Sequence, residues 1–434
     1  MNSAILMAGE SRRSTLLGSI VLFVLAVCTY LQLPLMSGDR LIVPSFPTVA
    51  LIPVLFMLVH RDITANDVLF LAKVTFVLLL SIGLSPGYRY VDEKFLALVQ
   101  CVMAIGVAIL AVRLMHLIRN VVLERTLLAL WSLILVGVLL ELFGIIRDVS
   151  DAFREWAFAS QYGLYEHDLR DAALVGWSRP KLFSIEPSHV TKFFIASVNA
   201  WMLVRVTWTK AAVAILANLA MLVIMGSPML IISVAMTLLI IVWDRRTSIG
   251  ARAAMIFAAI LLALSFSVFY GGGTLSTVVD RVSSIGAEQT ISARPSSEQQ
   301  RAVIPYVTLV DTWLRSPLFG VGIGGKEVVA EQTTLRLNKP TVALGNNALA
   351  EIGVYLGLAG SVWFISLLWA EFRHSGVRRI GMLIILVVLF SQLMGGVVGF
   401  QYWGFIALIW GALAVADQNV SPKGSAADEG ANSA

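Results

Sequence analysis

The chain has 434 residues, 58% of them hydrophobic and only 14% charged, where a soluble domain carries about 25%. The mean hydropathy of +0.83 excludes a soluble globular domain, because the charge deficit runs the whole length. The net charge of +5 does not point to nucleic acid: the basic residues sit at the ends of apolar runs, where they set membrane topology.

Apolar runs of about 20 residues are long enough to span a bilayer. They predict spans near 14–35, 41–59, 67–84, 94–112, 126–146, 189–208, 211–226, 228–243, 251–270, 349–371, 380–399 and 402–416. The expected fold is therefore all-α: a polytopic membrane domain over 1–416, with about 12 transmembrane helices. Ser11-Arg12-Arg13 before Leu16-Leu17 has the look of a twin-arginine signal, but the apolar run that follows is too long for a cleaved peptide. Between the two short runs at 211–243, Gly226-Ser227-Pro228 is the natural breaker. Cys28 and Cys101 both lie inside apolar runs, so neither a disulfide framework nor thiol chemistry is expected, and no Cys/His cluster has metal-ligand spacing.

Arg12, Arg13, Arg61, Arg113, Arg119, Arg125, Arg205, Lys210, Arg245, Arg246, Arg252, Arg373, Arg378 and Arg379 fall on one side of this span set, against Arg40, Arg89 and Lys94 opposite. The crowded side is expected to be cytoplasmic, with both termini on it. Two polar segments, 147–188 and 271–348, then face outward, and loops of that length usually have a role. Val303, Val307, Val310 and Leu314, with Trp313 beside them, predict a helix whose apolar face suits the membrane interface or the loop's own core. The tail at 417–434 is Ser/Ala/Gly/Asp-rich and is expected to be disordered in the cytoplasm.

Three elements carry residues fit for chemistry. In the first, Trp177 through His189, Arg179 and Lys181 can neutralise phosphate, while Glu186 can take a proton from a sugar hydroxyl with help from His189. A plain alternative is that Pro187 and Ser188 cap a helix start and the charges are solvated. The second holds Arg294, Arg301 and Arg315, then Ser316-Pro317-Leu318-Phe319-Gly320-Val321-Gly322-Ile323-Gly324-Gly325-Lys326. Its glycines match G-x-G-x-x-G on paper, but that pattern means a dinucleotide site only inside a βαβ unit. A glycine turn with amides facing a diphosphate, or a purely structural turn, fits better. In the third, Asn346 and Asn347 precede a run containing Gly353, Gly357 and Gly360, and either bond sugar hydroxyls or cap the helix. Glu351, just inside that run, is expected to be functional or paired with an arginine. Lys73 and Glu141, in other runs, are candidates for a buried pair or for snorkelling to the interface.

In the order, spacing and placement of these elements the chain resembles the O-antigen polymerase and ligase superfamily: the Wzy-type polymerases of bacterial surface polysaccharides and their WaaL-type ligase relatives. The resemblance rests on Arg179 through Glu186-Pro187-Ser188, Gly226-Ser227-Pro228, Arg301 leading to Ser316–Gly322, and the asparagine pair before the glycine-bearing helix. It implies a GT-C-like membrane protein of the bacterial inner membrane with two large periplasmic loops. The implied activity is that of an inverting glycosyltransferase, without metal or cofactor, acting on undecaprenyl-diphosphate-linked oligosaccharide. Arg179 and Arg301 match its characteristic loop arginines and are expected to bind the donor diphosphate, with Glu186 or His189 activating the acceptor. Lys181, Arg294, Arg315, Gly322, Lys326, Asn346 and Asn347 are expected around the substrate. Membrane lipid, a chain-length regulator and a flippase are the implied partners, and nucleic acid is not one. The ligases carry a histidine in a His-Asn pair where this chain reads Asn346-Asn347, a departure that favours a polymerase.

The rivals are a ligase to lipid A-core, a transporter or flippase of lipid-linked sugar, and a peptidoglycan polymerase of the shape-and-division type. The last needs an aspartate in the large outer loop, for which Asp280 and Asp311 are available. A transporter commonly shows paired repeats and charged residues in broken helices, and no repeat is visible in the sequence.

Overall fold

The structure is a computed structural model that describes residues 2–37, 40–43, 45–158, 171–172, 176–244, 250, 304–332, 347–392 and 394–418. The expected 251–270 span lies outside the described residues, as do Arg294, Arg301, Asn346 and Asp280.

The described chain is almost entirely helical. In order come α1 (Asn2–Leu31), α2 (Phe46–Ala50), α3 (Ile52–Val59), α4 (Ala65–Gly83), α5 (Val91–Leu117), α6 (Asn120–Leu142) and α7 (Arg147–Phe158). They are followed by α8 (Pro187–Val204), α9 (Trp208–Met225), α10 (Met229–Trp243), α11 (Ile304–Arg315), α12 (Lys326–Gln332), α13 (Ala348–His374), α14 (Ile380–Ser391) and α15 (Phe400–Gln418). Strands β1 (Leu35–Ser37) and β2 (Arg40–Val43) pair antiparallel. Among the described residues six helices are long and apolar enough to cross a membrane: Ala65–Gly83, Tyr88–Leu117, Asn120–Leu142, Trp208–Met225, Ala348–His374 and Phe400–Gln418. That is the make-up of a helical membrane protein.

Three expected spans look different in the fold, each for a local reason. The 41–59 run begins as β2 and then breaks into α2 and α3, each with a proline in its first turn that cannot donate to a preceding helix. The 380–399 run stops being helical at Ser391, because the glycine-bearing stretch after it is drawn into hydrogen bonds with α13 and α5. Finally, α15 runs on to Gln418, past the expected start of the tail. Asp417 is fixed there, accepting from the backbone amides of Arg378 (2.8 Å) and Arg379 (3.0 Å) and from Arg379 Nε (2.6 Å). The Gly226-Ser227-Pro228 break is present: Gly226 closes α9 in the left-handed conformation and Pro228 opens α10.

α15 is buried along nearly its whole length and packs on α5 and α8. α8 carries Lys192, Ser197 and Asn199, and every residue from Val190 to Val204 is buried inside the protein. A buried polar chain joins α8, α9 and α10: Asn199 Nδ2 donates to Ser233 Oγ and Thr237 Oγ1 donates to Asn199 Oδ1, both at 3.1 Å, and Asn218 Nδ2 of α9 donates to Thr237 Oγ1 at 3.5 Å. Such bonds fix helix register where the hydrophobic effect between helices is weak.

The bundle has two distinct ends. At one, Arg113 binds Asp67 at 2.5 Å, Lys210 lies 3.3 Å from Glu124, and Arg379 lies 2.6 Å from Asp417. These arginines and this lysine belong to the side that the charge count groups together. The other end is marked by Glu141 at the close of α6 and carries the candidate site.

Candidate functional site

The Arg179–His189 segment is held at the Glu141 end by side chains from three helices. The carboxylate of Glu141, only 1% exposed, accepts from the backbone amides of Lys181 (2.8 Å) and Leu182 (2.6 Å). Leu182 and Phe183 both have positive φ, 41° and 63°, a conformation unfavourable for such side chains. It persists because its neighbours over-determine it. Ser150 Oγ accepts from the Phe183 amide (2.9 Å), and the Tyr30 hydroxyl donates to the Leu182 carbonyl (2.6 Å). Buried Arg154 of α7 donates to the carbonyls of Ser184 (2.9 Å) and Ile185 (3.4 Å). Trp177 Nε1 ties the segment's start to the Ile224 carbonyl at 2.8 Å.

The turn then delivers its charged side chains. Arg179 binds Asp171 at 2.8 Å, and that carboxylate is fully buried. Glu186 stands at the N-cap of α8 with its side chain about one-third exposed. The same carboxylate oxygen accepts from the Ser188 hydroxyl and lies 3.7 Å from His189 Nε2 and 4.0 Å from Lys192 Nζ. Lys181 is buried, its backbone serving Glu141. Arg179, Glu186 and His189 thus share one structured segment, where the sequence also allowed solvated charges. Pro187 does open the helix, but Ser188 bonds the Glu186 carboxylate and not a helical amide.

The glycine-bearing segment has a different geometry. α13 is broken at Gly357 (φ 63°, ψ −169°), and residues 317–322 fit into the break. The carbonyls of Val354 and Tyr355, which helical continuation would have occupied, accept from the amides of Val321 (3.0 Å) and Gly322 (2.9 Å). In return the amides of Leu358 and Ala359 donate to the carbonyls of Pro317 (2.7 Å) and Leu318 (3.1 Å). A Cβ on Gly357 would stand 2.5 Å from the Gly320 nitrogen, so only glycine permits this approach. The break lies ten residues beyond Asn347, and the inserted segment also packs on Ser81, Ser85 and Ala97. The Gly322 amide expected to face a diphosphate is instead bound inside the fold, and the structural-turn reading accounts for it. Non-helical backbone inside a helical bundle is tolerated because protein satisfies it.

Arg315 lies 3.3 Å from Asp311 one turn back on α11, and Lys326 is exposed at the start of α12. The α11 face formed by Leu309 and Trp313 packs against Gly353, whereas Val310 and Leu314 are 56% and 81% exposed. Asn347 caps α13: its Oδ1 accepts from the Ala350 amide (3.1 Å) and its Nδ2 donates to Gln392 (2.9 Å). Among the described residues Glu351 is not paired with an arginine; one carboxylate oxygen accepts from the amides of Gly396 (2.6 Å) and Val397 (2.8 Å). Among the described residues its Oε1 and the Tyr355 hydroxyl are buried without a hydrogen-bond partner.

Glu141 does not pair with Lys73, which is exposed on α4. Six contributors escaped the sequence reading: Tyr30, Glu141 as a backbone acceptor, Ser150, Arg154, Asp171 and Lys192. Lys192 carried a signal, being a lysine inside an apolar run six residues after Glu186. The others depend on tertiary placement. No protein-family model matches the chain, and no curated protein matches it.

Proposed function

We propose that the chain is a polymerase of a bacterial surface polysaccharide, transferring the growing glycan from its polyprenyl diphosphate carrier to the next lipid-linked repeat unit. The observation that carries this reading is the Arg179–Glu186–His189 segment, braced at one end of an apolar bundle by Glu141, Ser150 and Arg154. In this reading about 12 spans cross the inner membrane with both termini cytoplasmic, and the Glu141 end is periplasmic.

The acceptor hydroxyl oxygen attacks the anomeric carbon, the bond from that carbon to the diphosphate oxygen breaks, and the configuration inverts. The hydroxyl proton passes to Glu186, whose bond from Ser188 gives way to the acceptor. His189 Nε2 and Lys192 Nζ stand within about 4 Å of that carboxylate oxygen, so polar groups flank the proposed base. Arg179, with Arg301 from the second loop, neutralises charge developing on the departing diphosphate. Arg315 and Lys326 extend the basic lining. Lipid diphosphate is already a good leaving group, so orientation of two tethered sugars supplies much of the remaining rate. A chain-length regulator and a flippase are its proposed partners. Arg301→Ala should leave insertion intact and abolish long polymer in cells; full-length chains in that variant would remove Arg301 from the mechanism.

The broken α13 with its buried Glu351 favours a second reading, transport of lipid-linked sugar, since carriers place carboxylates beside discontinuous helices. Proteoliposomes separate the two: a carrier moves a labelled lipid-linked unit between leaflets without lengthening it, whereas a polymerase lengthens it without moving it.

A further inference from the structure

The first helix of the outer segment, α7, has three stripes, and one of them is apolar and exposed. Residues Ser150, Arg154 and Phe158, spaced by four, are buried and face the site turn. Asp148, Asp151 and Glu155 form a second, charged stripe, of which Asp151 binds Arg154 at 2.7 Å. Val149, Ala152 and Trp156, spaced by three and four, form the third, with Ile145 two residues ahead of the helix; Ile145 is 67%, Val149 63% and Trp156 76% exposed. Spacing of three and four places residues on one helical face.

The helix before α7 exposes apolar side chains as well. α6 is one of the six described helices able to cross a membrane, and Leu133 and Val136 on it and Phe143 at its C-cap are more than half exposed. α6 ends where Ile145 N–H returns to the Leu140 carbonyl (2.8 Å) and Gly144 N–H to the Glu141 carbonyl (3.0 Å), with Gly144 left-handed. This is a tight helix stop. α7 therefore begins at the head of a helix able to cross a membrane, and its exposed apolar stripe follows directly in the chain on the exposed apolar residues of that helix.

We propose that α7 is an interfacial helix that binds the bilayer surface through Ile145, Val149, Ala152 and Trp156, and that it sets the Ser184–Ile185 turn, and with it Glu186, at the depth of the lipid headgroups. Helices of this kind seat their apolar face about 5–10 Å into the headgroup and acyl boundary, with tryptophan at that level. The charged stripe then faces water and the buried stripe holds the turn through Arg154. A substrate whose reacting bond lies next to a membrane-anchored phosphate would meet Glu186 without leaving the bilayer surface. The lipid contact stands apart from the glycosyl-transfer reading; only this last consequence rests on it.

The test is nitroxide labelling of the full chain in liposomes, in a Cys28→Ser/Cys101→Ala background, with single cysteines at 148, 149, 155, 156 and 186. Collision with dissolved oxygen is compared with collision with a water-soluble nickel chelate. Labels at 149 and 156 should favour oxygen several-fold over those at 148 and 155, with 186 between the two groups. The proposal is overturned if 149 and 156 are as open to the nickel chelate as 148 and 155. It is equally overturned if they are immobile and closed to both reagents, as burial under protein or a second copy would make them, or if 186 reads as bulk water. None of these readouts requires glycosyl transfer, so loss of that activity would leave the result intact.

Discussion

Two irregular segments meet the bundle at the Glu141 end, and they are held in opposite ways. The Arg179–Glu186 segment hangs from side chains: a carboxylate takes its amides and a guanidinium takes its carbonyls. The Pro317–Gly322 segment exchanges backbone bonds with the broken α13. The first arrangement leaves Glu186 about one-third exposed, with His189 and Lys192 beside it. The second uses main chain and close approach, which calls for glycine and leaves little for chemistry. Glycine-rich and arginine-rich stretches that look equally functional in sequence are thus divided into a scaffold and a candidate site.

Substitutions can break this contrast. The largest effect is expected from Gly357→Leu, which adds about 1–3 kcal/mol of backbone strain to a direct clash with Gly320. The variant should be recovered in far lower yield of monodisperse protein, and a normal yield would mean that the interlock is not as described. Glu141→Ala follows: two buried amides lose their acceptor, at roughly 1–3 kcal/mol each. Hydrogen exchange at 181–184 should rise sharply while 317–322 stays protected, and a uniform rise across both would contradict separate support. Glu141→Gln keeps one acceptor oxygen, so its exchange should fall between those of wild type and Glu141→Ala. Asn347→Ala, which removes a helix cap and the bond to Gln392, should lower thermal stability by about 1 kcal/mol and leave the Arg179 segment unchanged.

Much of the fold was legible because apolar run length is a direct consequence of bilayer thickness. The Gly226-Ser227-Pro228 break was legible too, since proline and glycine act locally. The α13 break was not: Gly357 lies in an apolar helix-like run, and its reason for being glycine is a segment some 40 residues earlier. In the site, Arg179, Glu186 and His189 stood out as charges just before an apolar run. Asp171 and Arg154 did not, because their roles depend on which turn they face. Asn347 read equally well as a sugar ligand and as a cap, and the choice between them was set by the neighbouring Ala350 amide and Gln392.

The central claim concerns the cation at Arg179, and its removal must not strand the buried Asp171 charge. The double variant Arg179→Gln/Asp171→Asn meets that requirement. Purified and supplied with a synthetic polyprenyl-diphosphate-linked repeat unit, wild-type protein should build a ladder of longer glycans. The double variant, at matched thermal stability, should leave the single unit unextended. A full ladder from the double variant would contradict the account.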